Sequence, residues 1–394
     1  MSTEKSAGRV TAGTQTQNPL QALLGLGQSV WLDYIRRDLI STGELERLIR
    51  EDGLRGMTSN PSIFEKAIAG SNDYAATLQE LSRRADLDAT GIYEHLAIRD
   101  VQDAADVLRS VYDQTRRRDG YVSLEVSPYL AYKTQETIDE ARRLWKAVGR
   151  DNIMIKVPGT PAGIPAFRQL IAEGLNINVT LLFAQEVYEN VAEAFIAGLE
   201  DLAKCGGDLS RAASVASFFV SRIDTMIDSQ LDAHAKNAKT DADRALALGL
   251  QGKVAIANAK LTYQRYKEIF NGPRWQALAA RGAQTQRVLW ASTSTKNPAY
   301  SDVLYVDELI GPDTVNTIPP ATFDAFRDHG RPRPSLEENI DAARQVMQNL
   351  PRAGVSMKQV TDQLTADGVK LFAEAFDKLL AAVAKSSKKA APSA

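Results

Sequence analysis

Cysteine is nearly absent: Cys205 stands alone among 394 residues. No intramolecular disulfide can form, and no thiolate zinc or iron-sulfur cluster can be assembled within one chain. Histidine is scarce too, and His95, His234 and His329 lie far apart with no H-E-x-x-H pair, which argues against a histidine-rich metal site. Long apolar runs are missing. The first residues, MSTEKSAGRVTAGTQTQNP, lack the apolar core of a signal peptide, and no stretch approaches the roughly 18 apolar residues of a membrane span. Charge of one sign is also missing: 47 basic and 49 acidic residues leave a formal net charge of -2, so no overall field recruits nucleic acid or an anionic membrane. The expectation is a soluble cytoplasmic protein, with no nucleic-acid or membrane partner, that holds any anionic ligand at a local site.

The rest of the composition is ordinary for a globular chain, 44% hydrophobic and 24% charged. Residues 1–18 and 385–394 are small and polar and read as flexible tails. Between them, short apolar runs alternate with amphipathic stretches, the signature of βα units around a parallel sheet. Eight runs qualify: 28–34, 53–60, 121–127, 152–158, 174–183, 213–219, 287–293 and 314–319. Between two of them, Ile138, Ala141, Leu144 and Trp145 recur at helical spacing, which predicts a helix over 134–148. Eight such units predict an α/β fold, a (β/α)8 TIM barrel with additional helices. It would occupy 19–384 as a single domain with helical insertions near 62–118 and 228–285. An open doubly wound sheet is the alternative, but it calls for a glycine-rich phosphate turn after its first strand. Gly25-Leu26-Gly27-Gln28-Ser29-Val30 precedes a strand and lacks the third glycine, and no Walker A sequence occurs.

Barrel enzymes take their catalytic groups from the C-terminal ends of several strands, so polar residues there carry the information. Lys156 interrupts Ile153-Met154-Ile155-Lys156-Val157-Pro158. Burial disfavours an ammonium and frees a neutral amine, the form that attacks a carbonyl in Schiff-base catalysis. The plain alternative is a buried ion pair with Glu125 or Asp33. Those two carboxylates themselves sit where interior strands should be apolar, and imine chemistry needs a proton shuttle and a group that orients water. Ser59 or Asn60, just before Pro61, reads as a helix cap, which by itself explains the Thr58-Ser59-Asn60-Pro61 segment. Asn178 and Thr180 alternate with apolar residues and would line one strand face. Ser217 with Arg222 suits a phosphate, as does the hydroxyl-rich segment Ala291-Ser292-Thr293-Ser294-Thr295-Lys296-Asn297; a solvated loop explains either one alone.

Taken in order, W-L-D-Y, T-S-N-P-S-I-F, L-E-V-S-P, I-K-V-P-G-T, N-I-N-V-T-L-L-F and S-F-F-V-S-R resemble the motifs of the transaldolase family. The likeness continues through V-L-W-A-S-T-S-T-K-N-P and T-I-P-P-A-T. The resemblance implies a class I aldolase-type barrel of the family's longer branch, in the pentose phosphate pathway. It would move a dihydroxyacetone unit from sedoheptulose 7-phosphate or fructose 6-phosphate to glyceraldehyde 3-phosphate or erythrose 4-phosphate, with no metal and no organic cofactor. It makes Lys156 the Schiff-base lysine, Asp33 the general acid/base, and Glu125 with Thr180 the holders of a catalytic water. Asn60 and Asn178 would bind the dihydroxyacetone hydroxyls, Thr58 would be a further substrate-binding residue, and Ser217, Arg222 and Lys296 would hold the phosphate. Lys296 replaces the arginine more familiar there, and Ser294 or Thr295 is an alternative contact. Glu125 favours transfer over simple cleavage, because the related fructose 6-phosphate aldolases are much shorter and generally carry glutamine at this position. Cleavage by such an aldolase and a non-catalytic sugar-phosphate barrel are the competing readings. A monomer and a homodimer are both open, and the 228–285 insertion is left to cover the site or form a subunit contact.

Overall fold

The computed structural model describes residues 18–390. Eight strands close into one parallel barrel in chain order: β1 Gln28–Asp33, β2 Leu54–Thr58, β3 Tyr121–Glu125, β4 Ile153–Pro158, β5 Ile177–Leu182, β6 Ser214–Phe219, β7 Arg287–Ala291 and β8 Thr314–Ile318. Each falls within one of the eight apolar runs. Strands covered by helices outside and by side chains inside must be apolar on both faces, which is why the runs are nearly continuous rather than alternating. The helix Thr134–Val148 ends at Gly149 in the left-handed conformation that terminates helices without a side-chain penalty.

The two long connections are helical. Helices Pro61–Gly70, Ala75–Leu81, Ala89–Val107 and Arg109–Gln114 separate β2 from β3; Ser221–Lys236, Asp241–Leu250, Val254–Ile269 and Pro273–Ala279 separate β6 from β7. The expected N-terminal tail lies outside the described residues except Asn18, whose side chain caps the helix Pro19–Gly25. The expected C-terminal tail is corrected in part. The last helix runs from Met357 to Ala390, so 385–390 are helical, while 391–394 lie outside the described residues. Among the described residues no helix is long and apolar enough to cross a membrane.

The barrel's N-terminal end is closed by a buried ion pair. Arg287 donates to Asp119 at 2.8 Å and to Ser29 Oγ at 2.6 Å, and Trp31 Nε1 donates to Asp119 at 3.1 Å. Gly56 is required beside this cluster, because a Cβ there would come within 2.5 Å of the Trp31 ring. Burial pushes the Asp119 carboxyl up, but the Arg287 guanidinium and these donors outweigh it and hold it below the usual range. This cluster fills the barrel interior at its N-terminal end, and in such barrels the loops at the opposite, C-terminal face build the site.

Candidate active site

Parallel register lines up the central residues. Glu125 on β3 pairs with Lys156 on β4, and Lys156 pairs with Asn178 on β5, so three neighbouring strands present them at one level. Lys156 is 5% exposed, and its Nζ lies 3.6 Å from Glu125 Oε2 and donates to the Ser59 carbonyl at 3.3 Å. The counter-ion left open between Asp33 and Glu125 is therefore Glu125. Burial lifts the Glu125 carboxyl to about 7, with Lys156 opposing the rise. A group poised there exchanges a proton readily at neutral pH. Glu125 Oε2 and Thr180 Oγ1 are both buried without a hydrogen-bond partner.

Asp33 sits at the end of β1, in register with Thr58 at the end of β2. Thr58 donates to Asp33 Oδ1 at 2.7 Å and also lies 2.7 Å from Thr317 Oγ1 on β8. A hydroxyl has one proton, so with Thr58 donating to Asp33, Thr317 donates to Thr58. Burial raises the Asp33 carboxyl, against the pull of Lys156 and the Thr58 bond. Thr58, expected to hold substrate, thus spends its proton on Asp33.

Asn60 caps the helix Pro61–Gly70: its Oδ1 accepts from Ile63 N at 3.0 Å, which leaves the amide NH2 as the group free to donate. The cap reading and a binding role coexist on its two ends. Asn178 is fully buried, donates to Ser123 Oγ at 3.1 Å and accepts from Ser217 Oγ at 2.7 Å. The Ser217 proton is directed at Asn178 and not outward. Asn176, outside the strand, bonds the Asp151 and Ile153 carbonyls instead and serves the fold.

Two backbone distortions shape the mouth. Leu181 takes φ +62° at the point where the β5–β6 register slips, and Ser292 takes φ +56° directly after β7. Left-handed backbone costs a non-glycine residue about 1–2 kcal/mol, and bulges recur beside active sites, where they re-aim side chains. Thr180 immediately precedes one distortion, and Ser294 and Lys296 follow the other.

A cleft of about 190 Å³ brings together Asp33, Thr58, Asn60, Lys156, Thr180, Ser217, Arg222 and Lys296. Asn178 lies beneath it, bonded to Ser217. Glu125 lines a different cavity, of about 240 Å³, between helices behind β3, and reaches the cleft through Lys156. Arg222 stacks on Phe219 at 5.6 Å and, like Lys296, has no ion-pair partner among the described residues. Burial lowers both cations, and the Arg222 charge lowers Lys296 further. Two like charges at one opening, neither in an ion pair although Asp33 shares the cleft, form a receptor for an anion. Of the alternative contacts, Ser294 accepts from Lys296 Nζ at 2.6 Å, whereas Thr295 Oγ1 donates to the Ser301 carbonyl in its own loop.

Sequence reasoning missed several residues of this region. Phe372, on the helix Met357–Ala390, stands over Lys156 with Nζ 5.6 Å from its ring centroid, within cation–π range. Lys66 shares the outer vestibule with Arg222 and Lys296. Thr317 lines the cleft as a hydroxyl at a strand end, the one signal that was available for it, beside Ser292 of the hydroxyl-rich segment already singled out. Among the described residues no group of three or more His, Cys, Asp or Glu side chains is arranged to hold a metal ion.

Residues 30–383 match the model of the family described as transaldolase/fructose-6-phosphate aldolase. The chain is 49% identical to a transaldolase of Trichodesmium erythraeum over 377 residues, covering 95% of this chain and 99% of that protein. It is 48% identical to a transaldolase of Thiobacillus denitrificans over 91% of this chain and 97% of that protein. It is 46% identical to transaldolase 1 of Streptomyces coelicolor, over 96% and 97%. With a closed eight-stranded parallel barrel and alignments that run nearly end to end, the chain belongs to the transaldolase/fructose-6-phosphate aldolase family of enzymes.

Proposed function

We propose that Lys156 carries the transaldolase reaction of this enzyme, with fructose 6-phosphate or sedoheptulose 7-phosphate as donor and an aldose phosphate as acceptor. The observation that carries the reading is a buried lysine at hydrogen-bond and ion-pair distance from Ser59 and Glu125, at the base of a cleft whose rim holds two unpaired cations.

Once its proton is released, the Lys156 amine attacks the ketose C2 carbonyl, and loss of water from the carbinolamine gives the imine. Glu125, poised near neutrality, and Thr180, with a free hydroxyl, share that water and move its proton. Asp33 accepts the proton of the C4 hydroxyl as the C3–C4 bond breaks, and the imine takes up the electron pair as an enamine. The first aldehyde leaves. The enamine attacks the second aldehyde, Asp33 returns the proton, and hydrolysis frees the new ketose. Asn60 donates to one dihydroxyacetone hydroxyl. Asn178, locked between Ser123 and Ser217, orients the other. Arg222 and Lys296 hold the phosphate, with Ser294 beside Lys296. Lysine supplies a point charge there instead of a bidentate fork, so its placement depends on the loop that carries it.

The site works from a single barrel domain, residues 19–390, in the cytoplasm. Incubation with fructose 6-phosphate and erythrose 4-phosphate is expected to yield sedoheptulose 7-phosphate, with little free dihydroxyacetone when the acceptor is omitted. Rapid release of free dihydroxyacetone would convert the reading to an aldolase, and substrate binding without conversion would make the barrel a binding protein.

A further inference from the structure

The insertion between β6 and β7 is tied to the loop after β7 by two tyrosine–carboxylate bonds. Asp224 and Asp228 lie on the helix Ser221–Lys236, whose second residue is Arg222. Asp228 accepts from Tyr300 Oη at 2.7 Å and from the Gly252 backbone at 3.0 Å. Asp224 accepts from Tyr305 Oη at 3.0 Å and from the Ala255 backbone at 2.7 Å, at the start of the helix Val254–Ile269. Gly252 is indispensable to this arrangement: it has φ +67°, and a Cβ there would stand 2.8 Å from Tyr300 Cζ. The insertion thus supplies a floor, Gly252, and two backbone donors that fix the acceptor carboxylates for the tyrosines.

Between β7 and Tyr300 runs the segment that bears Ser294 and Lys296. It is closed on itself by Thr295 to the Ser301 carbonyl. At its start it is joined to the Arg222 helix by Ser221 N to the Ser292 carbonyl at 3.0 Å and by the Ser221–Ser292 hydroxyl pair at 3.0 Å. Arg222 and Lys296 repel each other, and neither makes an ion pair among the described residues, although the Asp33 charge acts on Lys296 from the shared cleft. The backbone of this loop holds Lys296 facing Arg222 against that repulsion, and its far end is pinned by Tyr300.

Resting on the reading of Arg222 and Lys296 as the phosphate clamp, we propose that Tyr300 is a positioning residue: seated on Gly252 and bonded to Asp228, it holds the Lys296 loop against the Arg222 helix and so sets the preference for a phosphorylated sugar. The 228–285 insertion is the buttress of that clamp. It need not touch substrate to act, because it fixes the separation of the two cations.

The test compares fructose 6-phosphate with fructose as donor, using non-phosphorylated erythrose as acceptor in both arms so that only the donor brings a phosphate and sedoheptulose is the product read. Tyr300→Phe removes the hydroxyl and keeps the ring on Gly252. The expected result is a roughly tenfold rise in KM for fructose 6-phosphate, kcat within about twofold, and unchanged kcat/KM for fructose. The ratio of the two donors does not depend on the folded fraction. Lys296→Ala serves as the reference and should lower that ratio at least as far, with no further loss in the double variant. If Lys296→Ala lowers the ratio and Tyr300→Phe does not, or if Tyr300→Phe weakens both donors equally, the positioning role is overturned while the phosphate clamp stands. If Lys296→Ala itself leaves the ratio unchanged, the phosphate reading falls and the inference falls with it.

Discussion

Replacing Glu125 by glutamine should make the enzyme slower and, at alkaline pH, relatively more stable. The carboxyl is buried beside Lys156 and lifted to about 7 from an ordinary value of 4.5, chiefly by burial. Its folded value lies above its unfolded one, so the native state binds this proton more tightly. The stabilisation is complete below about pH 4.5 and is lost as pH rises through about 7. Raising a carboxyl by that much corresponds to about 3 kcal/mol, of which about 2 kcal/mol falls between about pH 5.5 and 8.5. Glutamine has no such dependence. The difference in stability between Glu125→Gln and the parent should therefore move by about 2 kcal/mol in the variant's favour across that range, or about 2–3 °C in Tm for a chain of this length. The constant offset includes the loss of a partner for Lys156, which is why the change with pH is the quantity to read. Asp224, also lifted to about 7 by burial, titrates in both proteins and cancels. Thermal unfolding at several pH values supplies the measurement, and the pH profile of kcat supplies its counterpart. The variant should lose about 100-fold or more in kcat together with the limb near neutrality. A parallel pair of Tm curves, or an unchanged kcat profile, would refute the argument.

Four further outcomes follow from the same geometry. Thr58→Val takes away the hydrogen bond that opposes the burial-driven rise of Asp33, so the acid limb of kcat should move to higher pH, with about tenfold lower turnover near neutrality. Thr317→Val should give a smaller shift in the same direction, since it acts through Thr58. Phe372→Ala opens the cover over Lys156; a rise in free dihydroxyacetone relative to transferred product is the expected readout, measured with and without acceptor. Arg287→Met leaves Asp119 buried without its ion-pair partner at the N-terminal end of the barrel and should cost about 3–5 kcal/mol in denaturant unfolding, with the active-site chemistry of the folded fraction intact.

The strands were legible because a doubly covered parallel strand has to be apolar throughout, and eight such runs admit few arrangements. Polar interruptions were legible for the same reason: Lys156 in an otherwise apolar run marks a position the core does not explain. What one strand does to its neighbour was not legible. Thr58 and Ser217 read as ligand groups, yet their protons go to Asp33 and Asn178, a fact set by register and by which strands adjoin. Leu181 carries a left-handed backbone with no glycine to announce it. Phe372 lies on a terminal amphipathic helix where an aromatic at helical spacing reads as core, and only closure of the chain brings it over a lysine on β4. The 228–285 segment was legible as helices but not as a support, because its contribution is made through the backbone N–H groups of Gly252 and Ala255, which no side-chain pattern announces.

The central claim is that Lys156 forms the covalent intermediate. Sodium borohydride reduction in the presence of fructose 6-phosphate, followed by peptide mass spectrometry, tests it directly. A reduced dihydroxyacetone adduct should be found on Lys156 and be missing from the inactive Lys156→Ala protein. An adduct on a different lysine, or continued turnover by Lys156→Ala, would contradict it.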